Sequence, residues 1–277
     1  CGQTVTLACA GRTDAGVHAE GQVVHADVPE HLVQLWTGGR ARAGGERLAR
    51  SLSNQLGPEI AVLATRIAPE GFDARRSALS RRYRYQILTG TTPDPLLGHL
   101  SWHVPSGLEV SAMRIAADAI LGTHDFSAFC RRPAGADSAG AAAGSPRPLT
   151  RRVIEVSLAL PIAGPDGSPK STGLDRPATS GLDALVPAAS GLERMFTVDI
   201  EANAFCQHMV RSLVGTLVAV GRGRLSPADV VGLLHSGDRS LAARAGKPAP
   251  PAGLVLRYVR YPPALVGSPD GIWHAPR

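Results

Sequence analysis

With 277 residues, 44% hydrophobic and 19% charged, the chain is long enough for one large domain or two modest ones, each with a real core. Its longest apolar stretches, such as Leu213 to Val220, are too short to span a bilayer, and no charged-then-apolar leader precedes a cleavage site. The net charge of +6 favours an acidic partner such as nucleic acid. Lys170 and Lys247 are its two lysines, and an arginine-rich composition with abundant Ala, Gly and Pro equally fits a GC-rich genome.

In chain order, Val5 to Ala10 reads as a buried strand of branched and small apolar residues. A polar, glycine-flanked loop follows from Gly11 to Gly16, then a second strand from Gln22 to Val28. Gly38 to Gly45, with Arg40 and Arg42, reads as a flexible basic loop. A helix from Glu46 to Leu56 puts Leu48, Leu52 and Leu56 on one stripe and stops at Gly57-Pro58. Arg81 to Leu88 alternates, with Tyr83, Tyr85 and Ile87 on one face and Arg82, Arg84 and Gln86 on the other. Met113 to Leu121 predicts a short helix with Gly122 as its stop.

Residues 133–148 are Ala/Gly/Pro-rich and read as a mobile loop. Arg152 to Leu160 and Arg194 to Ala202 predict two strands joined by a low-complexity insertion at 161–191. That insertion is read as an elaborated hairpin, because lengthening a surface loop costs only about 0.6 kcal/mol per doubling. Gln207 to Val220 is the strongest helix, with Val210, Leu213, Val214, Leu217 and Val218 at helical spacing and Gly221 ending it. Ser226-Pro227-Ala228-Asp229 carries the signals of a further helix start. Leu254 to Tyr261 is a final strand, stopped by Pro262-Pro263. The pattern is α+β with strands meeting in hairpins.

Four cysteines (Cys1, Cys9, Cys130, Cys206) form no CxxC pair, which points to a reduced, cytoplasmic protein. His18 and His25 lack metal-ligand spacing, so no metal is expected. The loop from Gly11 to His18 places Asp14 between glycines directly after a strand. Arg12, two residues before it, can pair with Asp14 or with a phosphate, and a nearby cation favours the ionised carboxylate that a nucleophile needs. An Asp-turn with a surface ion pair is the plainer reading.

Arg211, beside an apolar stripe, either snorkels to solvent or turns inward to a buried carboxylate such as Asp14. Tyr83 and Tyr85 are either core aromatics or stacking platforms for a base, with Arg75, Arg76, Arg81, Arg82 and Arg84 as a basic track around them. His208, leading into the helix, reads first as a core or boundary histidine. There is no Ser/His/Asp elbow, no GxGxxG and no Walker loop.

Several segments together resemble one family. Cys9 to His18 (CAGRTDAGVH), followed by Gly21 to His25 (GQVVH), is similar to the signature of tRNA pseudouridine synthase A. Phe72 to Arg75, Arg81 to Tyr85, Leu121 to Phe126, Asn203 to Phe205, His208 to Arg211, and Gly253 to Leu256 with Tyr261 continue the likeness in order. The resemblance implies isomerisation of uridine to pseudouridine in the tRNA anticodon arm, at positions 38 to 40, with no cofactor and no metal.

It implies Asp14 as catalytic aspartate, Tyr83 stacking on the target uracil, Arg211 salt-bridged to the aspartate, Arg12 holding the flipped nucleotide, and Leu254 or Leu256 lining the base pocket. Arg75, Arg82, Arg84, His18 and His208 are the expected RNA contacts. The implied fold is two similar α/β halves with mixed, mainly antiparallel sheets flanking a basic cleft, in a homodimer whose tRNA site spans both subunits. The expected halves are 1–80, carrying the Asp loop, and 81–261, carrying both insertions, with a tail at 262–277.

Family members begin with a strand well upstream of the aspartate loop, and here thirteen residues precede Asp14. The first sheet is therefore expected to lack that strand. Two rivals make different predictions. A non-catalytic tRNA-binding remnant of the same scaffold binds without product, and an N-glycosidase releases free uracil.

Overall fold

The longest uninterrupted alternation in the sequence gives one of the two longest strands. The computed structural model describes residues 4–37, 41–105, 107–131, 148–159, 194–236 and 247–273. The insertion at 161–191 and nearly all of that at 133–148 lie outside these residues. By internal contacts the chain divides into two units. The first comprises Cys1–Arg12, Gly21–Ser80 and Tyr258–Arg277, and the second Thr13–Glu20 and Arg81–Arg257.

In the first unit, β1 (Leu7–Cys9) and β3 (Val24–Ala26) pair antiparallel, with Ala8 opposite His25. Helices α1 (Glu30–Thr37) and α2 (Ala41–Leu56) pack on each other. The expected loop at 38–45 thus gives way to helix from Ala41, and α1 was not anticipated. Gly45 explains the first discrepancy. It is buried in α2, and a Cβ there would lie 2.5 Å from the Thr65 carbonyl oxygen, so glycine serves close packing rather than flexibility. Phe72, Tyr261 and Trp273 form an aromatic cluster with centroids 5.0–5.7 Å apart, and the Tyr261 hydroxyl donates to the Ala74 carbonyl at 2.7 Å.

The second unit is built on a mixed sheet. The strands are β2 (His18–Ala19), β4 (Ser80–Thr89), β5 (Trp102–Val104), β6 (Gly122–Asp125), β7 (Thr150–Ala159), β8 (Met195–Ala202) and β9 (Leu254–Arg260). Their order is β2-β9-β4-β8-β7-β6, with β5 also on β4. β4–β8, β8–β7 and β7–β6 are antiparallel, whereas β2–β9 and β4–β5 are parallel.

Tyr83, Tyr85 and Ile87 face inward at 7% exposure or less. On the other face the register sets Arg82 opposite Glu201 and Arg84 opposite Asp199. Helix α3 (Val110–Asp118) packs on α4 (Met209–Gly221), α5 (Pro227–Ser236) and β7. α3 ends at Asp118, three residues before the expected end, and Gly122 opens β6 at φ +103 instead of stopping the helix. The start of α5 follows the sequence signal, with the Asp229 N–H donating to the Ser226 hydroxyl and the Asp229 carboxylate accepting in return.

The cysteine reading needs correction. Cys130 and Cys206 form a disulfide with Cα atoms 5.7 Å apart, a pairing that 76 residues of separation hide from sequence spacing. Cys9 is free and exposed. Among the described residues no helix is long and apolar enough to cross a membrane, and no cluster of three or more His, Cys, Asp or Glu could hold a metal ion.

Candidate active site

The turn that carries Asp14 depends on Gly16, whose φ of +80 is a left-handed conformation. A Cβ there would also press on the Pro251 ring at 3.3 Å. The Val17 N–H closes the turn by donating to the Asp14 carbonyl at 3.1 Å. β2 follows at once, with His18 beside Val255 and Ala19 beside Leu256 of β9, and the Glu20 N–H donates to the Leu256 carbonyl at 2.8 Å. Glu20 and Arg257 add an ion pair.

Arg211 reaches Asp14 from the first turn of α4. Its Nη1 donates to Asp14 Oδ2 at 2.8 Å, and its Nε donates to the Ala249 carbonyl at 2.7 Å. The Ala249 N–H donates back to the Arg211 carbonyl at 3.0 Å. With its side chain 14% exposed, Arg211 turns inward rather than snorkelling. Asp14 is 28% exposed, so the carboxylate is half-buried rather than buried and stays open on one side.

The segment Lys247–Gly253 is a strap that holds this arrangement. It lies against α4 at Gly215, where a Cβ would meet the Lys247 carbonyl oxygen at 2.9 Å. The Tyr85 hydroxyl donates to the Pro250 carbonyl at 2.7 Å. At Gly253 a Cβ would lie 2.8 Å from both the Gln86 carbonyl oxygen and the Tyr85 ring. Burial pushes the Tyr85 phenol well above its ordinary pKa, against the opposing charge of Arg211.

Tyr83 lies on the same strand face, edge-on to Phe205 with centroids 5.2 Å apart. Its pKa is pushed up to about 12, chiefly by burial, with the Arg81 charge opposing and the Asp14 charge adding. His208 brings Nε2 to 3.4 Å from Asp14 Oδ2. Leu256 has no exposed surface, while Leu254 retains 6%.

The structure therefore gathers Asp14, Tyr83, Arg211, His208, Leu254 and Leu256 within the second unit. Other expected RNA contacts are placed differently. His18 Nε2 is 2.9 Å from the His99 carbonyl oxygen. Arg82 makes a bidentate pair with Glu155 at 2.7 and 2.8 Å and also reaches Asp199, which Arg84 engages at 3.1 Å. These two arginines are bound into an ion-pair network with carboxylates that strand register brings opposite them. Arg12 and Arg75 are exposed residues of the first unit.

Comparison with known proteins decides the family. The family profile described as tRNA pseudouridine synthase matches residues 116–262. A tRNA pseudouridine synthase A of Frankia casuarinae is 39% identical over 262 residues, covering 94% of this chain and 75% of that protein. The chain belongs to the tRNA pseudouridine synthase family. Proteins of the same name from Methylobacterium nodulans (38% over 265 residues) and Nitratidesulfovibrio vulgaris (37% over 266) are covered to 83% of their length. They span 96% and 95% of this chain.

A pseudouridine synthase is an isomerase, and sequence reasoning missed parts of what surrounds its candidate aspartate here. Phe205 was read only as part of a motif, not as the ring that packs on Tyr83. Ala249 and Pro250 act through backbone carbonyls, which leave no side-chain signature. The glycines at 215 and 253, where backbone packs closely, are the sequence features that mark the strap.

Proposed function

We propose that the chain isomerises uridine to pseudouridine in the tRNA anticodon arm, at positions 38 to 40, with Asp14 as nucleophile. The observation that carries this reading is the contact between Arg211 Nη1 and Asp14 Oδ2 at 2.8 Å. The guanidinium holds one carboxylate oxygen and leaves the other side of Asp14 open to a substrate. In this reading Tyr83 stacks on the target base and Leu254 borders it, both nearly buried in the free chain at 7% and 6% exposure, and exposed Arg12 is suited to a phosphate.

The base must first leave the stack, which costs a few kcal/mol. Asp14 then attacks the nucleoside, the bond from N1 to the sugar breaks, and the uracil turns. C5 bonds to the sugar carbon, the bond to Asp14 is broken, the C5 hydrogen leaves to solvent, and N1 takes up a proton in its place. Substrate and product have the same atoms, so the reaction needs no oxidant, reductant or phosphate donor. The same reading carries a homodimer as the working form.

The test is tritium release from tRNA labelled at uracil C5, comparing the chain with Asp14→Ala. Release is expected from the unaltered chain and at background from the variant. tRNA affinity should be nearly unchanged, because phosphate contacts dominate it. Turnover by Asp14→Ala would refute the aspartate mechanism. Binding without release from the unaltered chain would make it a tRNA-binding remnant, and free uracil in place of pseudouridine would make it a glycosidase.

A further inference from the structure

We propose that His208 is a positioning residue that, with Arg211, pins Oδ2 of Asp14 and so assigns Oδ1 as the attacking oxygen. The inference rests on Asp14 being the nucleophile. It begins from the backbone. His208 has φ +65 and ψ 0, and among the described residues it is the one non-glycine residue with positive φ. A side chain in that region costs on the order of 1 kcal/mol or more, which a glycine would avoid.

Neither ordinary reason for a residue at this position applies. His208 is the N-cap of α4, where Ser, Thr, Asp or Asn would satisfy a free N–H, and its ring makes no capping hydrogen bond. Its backbone carbonyl accepts from the Ser212 N–H at 2.9 Å, a bond that any residue could make. What the left-handed conformation does provide is direction. It turns the ring toward Asp14, with Nε2 3.4 Å from Oδ2 and the side chain 18% exposed.

Arg211 stands in the first turn of α4, three residues beyond the N-cap His208. Both arrive at the same oxygen, Arg211 at 2.8 Å and His208 at 3.4 Å. Among the described residues Oδ1 has no hydrogen-bond or ion-pair partner. A single donor on a carboxylate leaves its plane free to rock about the bond to Cβ. The His208 ring, in ion-pair contact at 3.4 Å rather than hydrogen-bonded, meets that same oxygen from a second residue and leaves Oδ1 as the unpaired one. A long contact of this kind in the free enzyme tightens as substrate excludes water. Misplacing a reacting atom by about 1 Å can cost about 100-fold in rate.

The experiment compares the full chain with Asp14→Ala and His208→Gly. It measures kcat and KM by tritium release, thermal melting, and the effect of added imidazole. Glycine relieves the strained backbone, so His208→Gly should melt no lower than the unaltered chain. Its kcat should fall about 10–100-fold, KM for tRNA should stay within about twofold, and imidazole should restore part of the lost rate.

An unchanged kcat would overturn the proposal. So would a loss confined to KM, which would make His208 an RNA contact, or a loss of rate that imidazole leaves untouched, which would make it a packing residue. Failure of the underlying reading looks different. In that case the unaltered chain releases no tritium, or Asp14→Ala turns over.

Discussion

Replacing Arg211 by alanine should lower stability and rate together, and the structure sets the size of the effect. The guanidinium donates at once to the Asp14 carboxylate and to the Ala249 carbonyl. Ala249 is 1% exposed, so no solvent replaces the lost donor, and a stranded buried carbonyl costs about 1–3 kcal/mol. Asp14 is open enough that losing its partner adds only about 0–1 kcal/mol. The total is about 1–4 kcal/mol, which at roughly 3 °C per kcal/mol for a chain of this size lowers the melting temperature by about 3–12 °C.

Arg211→Lys makes the sharper test. Lysine keeps the charge but lacks the planar fork, so it cannot serve Ala249 and Asp14 together. Its melting temperature should fall between those of the unaltered chain and the alanine variant. Its rate of tritium release should drop nearly as far as that of alanine. Scanning calorimetry and the release assay on the same preparations give both numbers. An alanine variant melting within about 2 °C of the unaltered chain would refute the account of the strap and the guanidinium.

Two further outcomes follow from the same site. The folded Tyr83 phenol keeps its proton to about 12, whereas an unfolded tyrosine loses it near 10. Its contribution is therefore fully present below pH 10 and is lost as pH rises from 10 towards 12, on the order of 2–3 kcal/mol. Melts across that window should show the fall, and Tyr83→Phe should flatten part of it; an equally steep fall in the variant would assign it to other groups. Gly253→Ala should cost about 1–3 kcal/mol, because its Cβ meets the Gln86 carbonyl oxygen at 2.8 Å and backbone cannot easily give way. A melting temperature equal to that of the unaltered chain would show the strap to be looser than its geometry implies.

What was legible in the sequence is what depends on local period. The alternation of Arg81 to Leu88 gave β4 and its buried face, and the stripe from Val210 to Val218 gave α4. The cap at Ser226 gave the start of α5. What was not legible depends on partners far along the chain. β2 is two residues long and exists only through β9, more than two hundred residues later.

Arg82 and Arg84 looked like an open basic track because nothing local shows that Asp199, Glu201 and Glu155 will lie across from them. Glycine at 45 argued against helix by propensity, yet tertiary packing on Thr65 overrode that cost of about 1 kcal/mol. The aspartate loop stood between these cases. Its glycines and charges were visible, but whether Asp14 sits in a plain surface turn or pairs with an inward arginine depends on where Arg211 points.

The position of Asp14 depends on how little structure holds it. The segment Thr13–Glu20 belongs to the second unit while the chain on both sides belongs to the first. Eight residues must therefore carry the carboxylate to Arg211, 197 positions away in sequence. Two parallel β contacts, a backbone hydrogen bond to Leu256, the contact of His18 with the His99 carbonyl and an ion pair with Arg257 anchor the far end of that segment. Such a short parallel edge contributes little stability by itself. The Arg211 contact, with His208 on the same oxygen, is then a second anchor at the near end. On this argument the arginine both orients the carboxylate and fastens the loop that bears it, which is why stability and rate should fall together when it is removed.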